Sequence, residues 1–168
     1  MKSFISALAL AAMAALSTPA SAGISIVQSP TGFFVPDSDP ANIFDRSTYW
    51  RDFNQNWGWT HSAMTGPITA ATLAIGAYDV DYPNCFSANL ADCENDFIQA
   101  LDVGTGDWID IGQLTGVDEV FSLTVLNFTA GQLAALADDI VAGLQIRTDI
   151  DRNRGGWFLT LSRAALCT

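Results

Sequence analysis

Ala71-Thr72-Leu73-Ala74-Ile75-Gly76-Ala77-Tyr78-Asp79-Val80-Asp81 alternates in character residue by residue. Thr72, Ala74, Gly76 and Tyr78 fall on one side of an extended chain, and Leu73, Ile75, Ala77 and Asp79 on the other. A period of two belongs to a strand with one face on a core; a helix would scatter these residues around its axis. The strand is expected from Ile68, behind the Gly66-Pro67 break, to Val80.

The same pattern recurs outward from this stretch. Upstream, Tyr49-Trp50-Arg51-Asp52-Phe53 and Trp57-Gly58-Trp59-Thr60-His61 alternate aromatic and polar residues. Downstream come Phe97 to Val103, a Gly104-Thr105-Gly106-Asp107 turn, Trp108 to Leu114, and Glu119 to Phe128. One helix interrupts. Thr129 is an N-cap with Gln132 in capping-box position, and Leu133, Leu136, Ala137 and Ile140 share a face that ends near Gly143. Leu144 to Ile150 and Trp157 to Leu161 read as two closing strands, with Asp151 to Gly156 as their hairpin loop. Short strands at this spacing predict an all-β fold, an antiparallel β-sandwich or jelly roll with one short helix between late strands.

The chain divides into three parts. Residues 1–22 read as a signal peptide: Lys2, an apolar run from Phe4 to Leu16, and Ala20-Ser21-Ala22 before a cut after Ala22. Residues 23–48 read as an N-terminal arm, with Ile24 to Val27 as a short edge strand, and 49–168 as the sandwich domain. The expected location is secreted or periplasmic, in a bacterial host, with no membrane span. Cleavage removes the only lysine and leaves six arginines against eighteen acids. Such a field repels nucleic acid and anionic membranes, and suits either a cationic ligand or plain solubility.

Three cysteines remain in an oxidising compartment. Cys85 and Cys93 flank a loop and are the natural pair; Cys167 is left over, either a free thiol or a competitor for one of them.

That loop lies inside the most acidic stretch of the domain, Asp79-Val80-Asp81 to Glu94-Asn95-Asp96. Asp79 and Asp81 alternate with Val80 at a strand end, and Glu94 and Asp96 repeat the spacing at the start of the next strand. Asp149 and Asp151, also two apart, could add a third side. Crowded carboxylates repel unless a cation sits among them, and calcium takes six to eight oxygen ligands. The pattern is not an EF-hand. The competing reading is loop-tip charges in solvent, with Arg147, Arg152 and Arg154 neutralising Asp149 and Asp151.

Other chemistry is thin. His61 is the only histidine, too few nitrogen or sulfur ligands for a closed zinc site. No Gly-x-Ser-x-Gly elbow occurs, so a serine hydrolase would have to be built on His61 alone. Among eighteen acids, some pair will meet a glycosidase separation by chance. Trp50, Trp57 and Trp59 could stack on sugar rings as a carbohydrate platform, or fill the core of a first strand.

The order of motifs resembles a β-sandwich domain of secreted bacterial proteins, including surface proteins of the PEP-CTERM type. The resemblance rests on four motifs. These are Ala71 to Ile75 running into Asp79-Val80-Asp81, Glu94-Asn95-Asp96-Phe97-Ile98, Ile111-Gly112-Gln113-Leu114-Thr115-Gly116, and Gly156-Trp157-Phe158-Leu159-Thr160-Leu161. It spans about Tyr49 to Leu166. Ser162 and Arg163 stand where such a domain has an aspartate and an aromatic, and no Pro-Glu-Pro motif follows, so no sorting role is carried over. The resemblance implies a fold and ligand binding rather than an activity.

The expected function is a secreted non-enzymatic binding or envelope-structural protein, stabilised by calcium. Its partner would be a glycan or another envelope protein. The alternatives are a carbohydrate-binding module using Trp50, Trp57 and Trp59, and a small hydrolase.

Overall fold

The computed structural model describes residues 22–28, 51–52, 56–85, 89, 93–150, 152 and 158–168. Among the described residues, nine strands and one helix follow one another: β1 (Ile24–Gln28), β2 (Arg51–Asp52), β3 (Gly58–Thr60), β4 (Thr72–Tyr78), β5 (Phe97–Asp102), β6 (Asp107–Gln113), β7 (Phe121–Asn127), α1 (Ala130–Ala142), β8 (Gln145–Asp149) and β9 (Phe158–Cys167). They form two antiparallel sheets. The first runs β1-β9-β4-β7, with β2 also paired to β9; the second runs β3-β8-β5-β6. The fold is sandwich-like, as the alternation predicts.

Strand β4 shows how the pattern makes the structure. Leu73, Ile75 and Ala77 are buried, while Thr72, Ala74, Gly76 and Tyr78 are half-buried on the outer face. Leu73 and Ile75 join Ile98 and Ala100 of β5 and Ile146 of β8 in one apolar cluster between the sheets. Burying such branched side chains contributes roughly 1.5–3 kcal/mol each. The sheets approach closely at Gly112, where an added Cβ would stand 2.8 Å from the Leu126 side chain.

The capping box forms as its residues predict. Thr129 Oγ1 accepts from Gln132 N at 3.3 Å, and Gln132 Oε1 accepts from Thr129 N at 2.7 Å. Gln132 also donates to the Asp110 carbonyl at 2.6 Å, which fixes the helix start against β6. Leu136 and Ile140 are buried as expected, but Asp139 is buried where Ala137 is only half so.

Several expectations are corrected. The last strand does not stop at Leu161 but continues to Cys167, paired on both sides, with β1 and with β4. A register shift between Gly76 and Ala77 breaks the phase of that pairing, so the alternation along β9 is lost at Ser162-Arg163. Cys167 therefore sits in a paired strand and not at a frayed end. The segment after Ile150 is not a hairpin loop, because β8 and β9 belong to different sheets. Likewise β4 and β5 are not neighbours: the stretch from Asp79 to Asp96 is the crossover from one sheet to the other. Of the expected arm, the start is an integral edge strand, β1; residues 29–48 and the leader 1–21 lie outside the described residues.

Candidate cation site at the sheet crossover

The crossover starts with a sharp change of direction. Beyond Tyr78 the chain leaves the strand at Asp79, whose φ is 70°, so Asp79 and Asp81 are not related by strand alternation. Glu119, at φ 55°, faces it: Glu119 N donates to Asp79 Oδ1 at 2.8 Å, and Asp79 N donates to the Val120 carbonyl at 3.4 Å. These are the two non-glycine residues with positive φ among the described residues. Such conformations cost on the order of 1–3 kcal/mol each and persist where surrounding bonds fix them.

A second set of bonds ties the crossover to the loop after β6. Pro83 bridges Gly116, Gly116 N donates to the Tyr82 carbonyl at 2.7 Å, and Asn84 Nδ2 donates to the Gly116 carbonyl at 2.9 Å. Gly116 is required here, since a Cβ would stand 2.8 Å from Val80 Cβ and from the Val80 carbonyl. The disulfide between Cys85 and Cys93 closes the remainder of the crossover, and Cys167 stays free.

The result is a carboxylate cluster. One oxygen from each of Asp79, Asp81 and Asp118 lies within 4.8 Å of the others. Asp81 is only 5 % exposed, and its Oδ1 has no hydrogen-bond partner among the described residues. Glu94 and Asp96 are buried too, and Glu94 Oε2 accepts from Asp81 N at 3.2 Å. Burial, then the charges of Asp118 and Asp79, raise the Asp81 carboxyl above its ordinary range. Asp79 is raised chiefly by burial and by Asp118, against the lowering effect of the Glu119 N–H. Burial and the adjoining Asp96 raise Glu94 further. Crowding and burial disfavour the charged forms of these carboxylates, and a divalent ion would offset that and give Asp81 a partner.

Asp118 completes the cluster, and sequence reasoning missed it. It stands far along the chain from Asp81, beyond two strands; the β4–β7 pairing, which sets Tyr78 opposite Phe121, and the Pro83–Gly116 bridge bring it near. The nearest signal is its position two residues after the Thr115-Gly116 turn.

Asp149 does not join them. Arg152 Nε binds Asp149 Oδ2 at 2.6 Å, while its two terminal nitrogens bind both oxygens of Asp110 at 2.8 and 2.6 Å. The guanidinium also lies over the Phe97 ring at 4.0 Å. Asp149 thus follows the competing reading, neutralisation by arginine. Asp151 lies outside the described residues.

The carbohydrate platform is also corrected. Trp57 and Trp59 are both buried in the core, their indole nitrogens donating to the Leu159 carbonyl at 3.3 Å and to His61 Nε2 at 3.0 Å. Two residues apart on one strand face, both rings point inward and cannot stack on a sugar. Trp50 lies outside the described residues.

His61 is buried beside Ser25, with Nδ1 3.3 Å from Ser25 Oγ. An indole only donates, so Nε2 must accept, and Nδ1 therefore carries the proton and donates to Ser25. A base holding its proton against the hydroxyl cannot take that hydroxyl's proton. The contact links β1 to the segment after β3 and is no nucleophile–base pair. Burial lowers the His61 pKa to about 4, so the ring is neutral near pH 7.

Among the described residues, no helix is long and apolar enough to cross a membrane. The disulfide suggests an oxidising compartment. No protein-family model and no curated protein matches the chain.

Proposed function

We propose that this chain is a secreted, non-enzymatic binding or envelope-structural module whose sheet crossover is locked by calcium held on Asp79, Asp81 and Asp118. The observation that carries this reading is Asp81. A nearly buried carboxylate with an oxygen that no hydrogen bond satisfies costs several kcal/mol to keep charged, unless a cation offsets it. All the donors are hard oxygens, which favours calcium over zinc or copper. Three carboxylates leave further positions for water. Glu94 accepts from the Asp81 backbone N–H and so holds Asp81 in place.

The ion's role in this reading is structural. It would tie together the end of β4, the disulfide-closed crossover and the loop between β6 and β7, adding to the Tyr78–Phe121 pairing and the Pro83–Gly116 bridge that hold them near one another. Thermal unfolding after exhaustive EDTA treatment, then with excess calcium chloride, tests it. Calcium at a hundred times its dissociation constant adds about 2.7 kcal/mol. The midpoint is expected to rise with calcium in the native chain and to stay fixed in Asp81→Asn. A midpoint indifferent to millimolar calcium in the native chain overturns the reading.

A further inference from the structure

The strands at the sheet edges are unlike one another. In the second sheet β3 has three residues, and β6 carries Asp107 and Asp110 and a register break with β5 between Ile98 and Gln99. In the first sheet β1 has five residues, and β2, also paired with β9, carries Arg51 and Asp52. Brevity, charge and bulges are the usual means of keeping one sheet from pairing with another. β7 has none of them. Its seven residues, Phe121-Ser122-Leu123-Thr124-Val125-Leu126-Asn127, hold no charge, no proline and no glycine, and pair with β4 in unbroken register.

Among the described residues β4 is the one strand paired with β7, so the backbone N–H and C=O groups of β7 directed away from β4 have no strand partner. The side chains alternate about that edge. Phe121, Leu123 and Val125 point to the outer face and are 62 %, 61 % and 52 % exposed. Thr124 turns inward, its hydroxyl donating to the Thr115 carbonyl at 3.0 Å. An unbulged edge with an alternating apolar row is a template onto which a further strand adds by main-chain hydrogen bonds.

We infer that the β7 edge pairs with the β7 edge of a second copy of the chain, antiparallel about a two-fold axis normal to the sheet, so that the two first sheets become one. The sequence along the edge selects this occupant. Outward side chains must meet outward side chains, so a two-fold pairing sets some residue opposite itself, and the register that pairs all seven residues centres on Thr124. Leu123 then stands beside Val125 of the second copy and Phe121 beside its Asn127, with no charge on either strand. Beyond the strand the same register brings Glu119 and Asp118 level with Thr129 and Ala130 of the second copy, where α1 begins. That helix has no acid in its first turn, and the positive end of its dipole favours a carboxylate. In a chain of net charge −11, the acids that flank β7 thus meet a helix terminus and not one another. The pairing uses up the edge on both copies and closes at two. It does not rest on the cation site.

Sedimentation velocity in EDTA, from about 1 to 500 µM, reads such a weak contact with no cation present. The native chain is expected to pass from monomer to dimer. Leu123→Lys and Val125→Glu change the net charge in opposite directions, yet each sets a charge beside an apolar residue of the second copy. Each is expected to raise the dissociation constant about tenfold or more. The two combined set the new lysine beside the new glutamate across the two-fold and are expected to restore the dimer. Both positions are exposed, so thermal midpoints should stay within a few degrees of the native one. A native chain that is monomeric at the highest concentration overturns the inference, and so does growth beyond a dimer. Single variants that dimerise like the native chain also overturn it. A double variant no better than the single ones overturns it as well, because a register shifted by two residues sets like charges opposite each other.

Discussion

Two groups of acids in this molecule have met opposite fates. Around Arg152, Asp110 and Asp149 each receive charge-assisted hydrogen bonds of 2.6 to 2.8 Å, and Arg152 lowers the Asp110 carboxyl below its ordinary range. At the sheet crossover, Asp79, Asp81 and Asp118 converge with no ion pair among the described residues, and Asp79 and Asp81 are raised. The first group lies at the protein surface and carries its own counter-ion on the chain. The second is deeper, with Asp81, Glu94 and Asp96 buried, and no arginine pairs with Asp79, Asp81 or Asp118 among the described residues. Proximity of acids alone says little about metal binding. The presence or absence of an arginine beside them separates the two cases.

The contrast can be broken most sharply by giving the crossover its own cation. Asp118 is half-buried and so partly open to solvent. Asp118→Arg is expected to raise the midpoint of the calcium-free protein and to abolish the calcium-dependent gain, about 2.7 kcal/mol at a hundredfold excess over the dissociation constant. Calcium titration followed by differential scanning calorimetry reads both effects. A substituted chain that still gains stability from calcium would show that the ion binds elsewhere.

The difference between the groups also shows how far the sequence could be read. The elements made by local rules were legible. Period-two alternation from Thr72 to Tyr78 and the Thr129–Gln132 capping box need only neighbouring residues, and both formed. The pairing of Asp149 with Arg152, three residues on, was visible as a competing reading for the same reason. Asp118 was not legible, because its approach to Asp81 depends on long-range pairing, of β4 with β7 and of Pro83 with Gly116, across two intervening strands. The last half of β9 was hidden by the register shift opposite Gly76, which throws Ser162 and Arg163 out of phase with any simple alternation. Trp57 and Trp59 could be read either way until their shared inward face was known.

Proton linkage separates the two groups by sign. In the calcium-free protein the folded pKa values of Asp79 and Asp81 are raised above 3.8. Their contribution is present below that value and is lost as pH rises through the raised folded values. Asp110 is lowered, so its contribution is present above 3.8 and is lost as pH falls through its lowered folded value. Stability measured by urea unfolding from pH 3 to 8 should therefore decline less toward neutral pH in Asp81→Asn, and less toward acid pH in Asp110→Asn, than in the native chain. His61, lowered from 6.5 to about 4, adds an acid-side loss of its own, since a folded ring that resists protonation loses up to about 3 kcal/mol as pH falls across that range. The Asp110 effect is read as the difference from the native curve, in which the His61 loss cancels. Identical slopes in Asp81→Asn and native chains would mean that the Asp81 carboxyl is not raised in the calcium-free fold.

On the neutralised side the expected loss is modest. Arg152 is bidentate to Asp110 and singly bonded to Asp149, but all three side chains keep contact with solvent. Arg152→Met keeps the packing over Phe97 while removing the charge, and should cost about 1 kcal/mol, the upper range for an exposed pair. The loss should shrink in 1 M salt and leave any calcium response intact. Chemical denaturation at two ionic strengths measures it. A calcium response that changed in this variant would mean the two groups are one electrostatic unit, and the comparison would fail.

The smallest effect tests whether the crossover stores strain for the cluster. Glu119 is exposed and held at φ 55°, a conformation that costs a non-glycine residue roughly 1 kcal/mol and glycine almost nothing. Its backbone N–H donates to Asp79 Oδ1 and survives any substitution except proline. Glu119→Gly should therefore relieve the strain, while the freer unfolded chain offsets part of the gain, leaving about 0.5 kcal/mol of added stability. Removing a neighbouring negative charge acts in the same direction in the calcium-free protein, since Glu119 is among the charges that raise Asp79. The two causes separate in Glu119→Gln, which removes the charge and keeps the strain. If the glutamine variant gains as much as the glycine variant, the gain is electrostatic and the left-handed turn at Glu119 is unstrained. If only the glycine variant gains, the crossover holds Asp79 in place against a backbone cost, and that cost belongs to positioning the cluster.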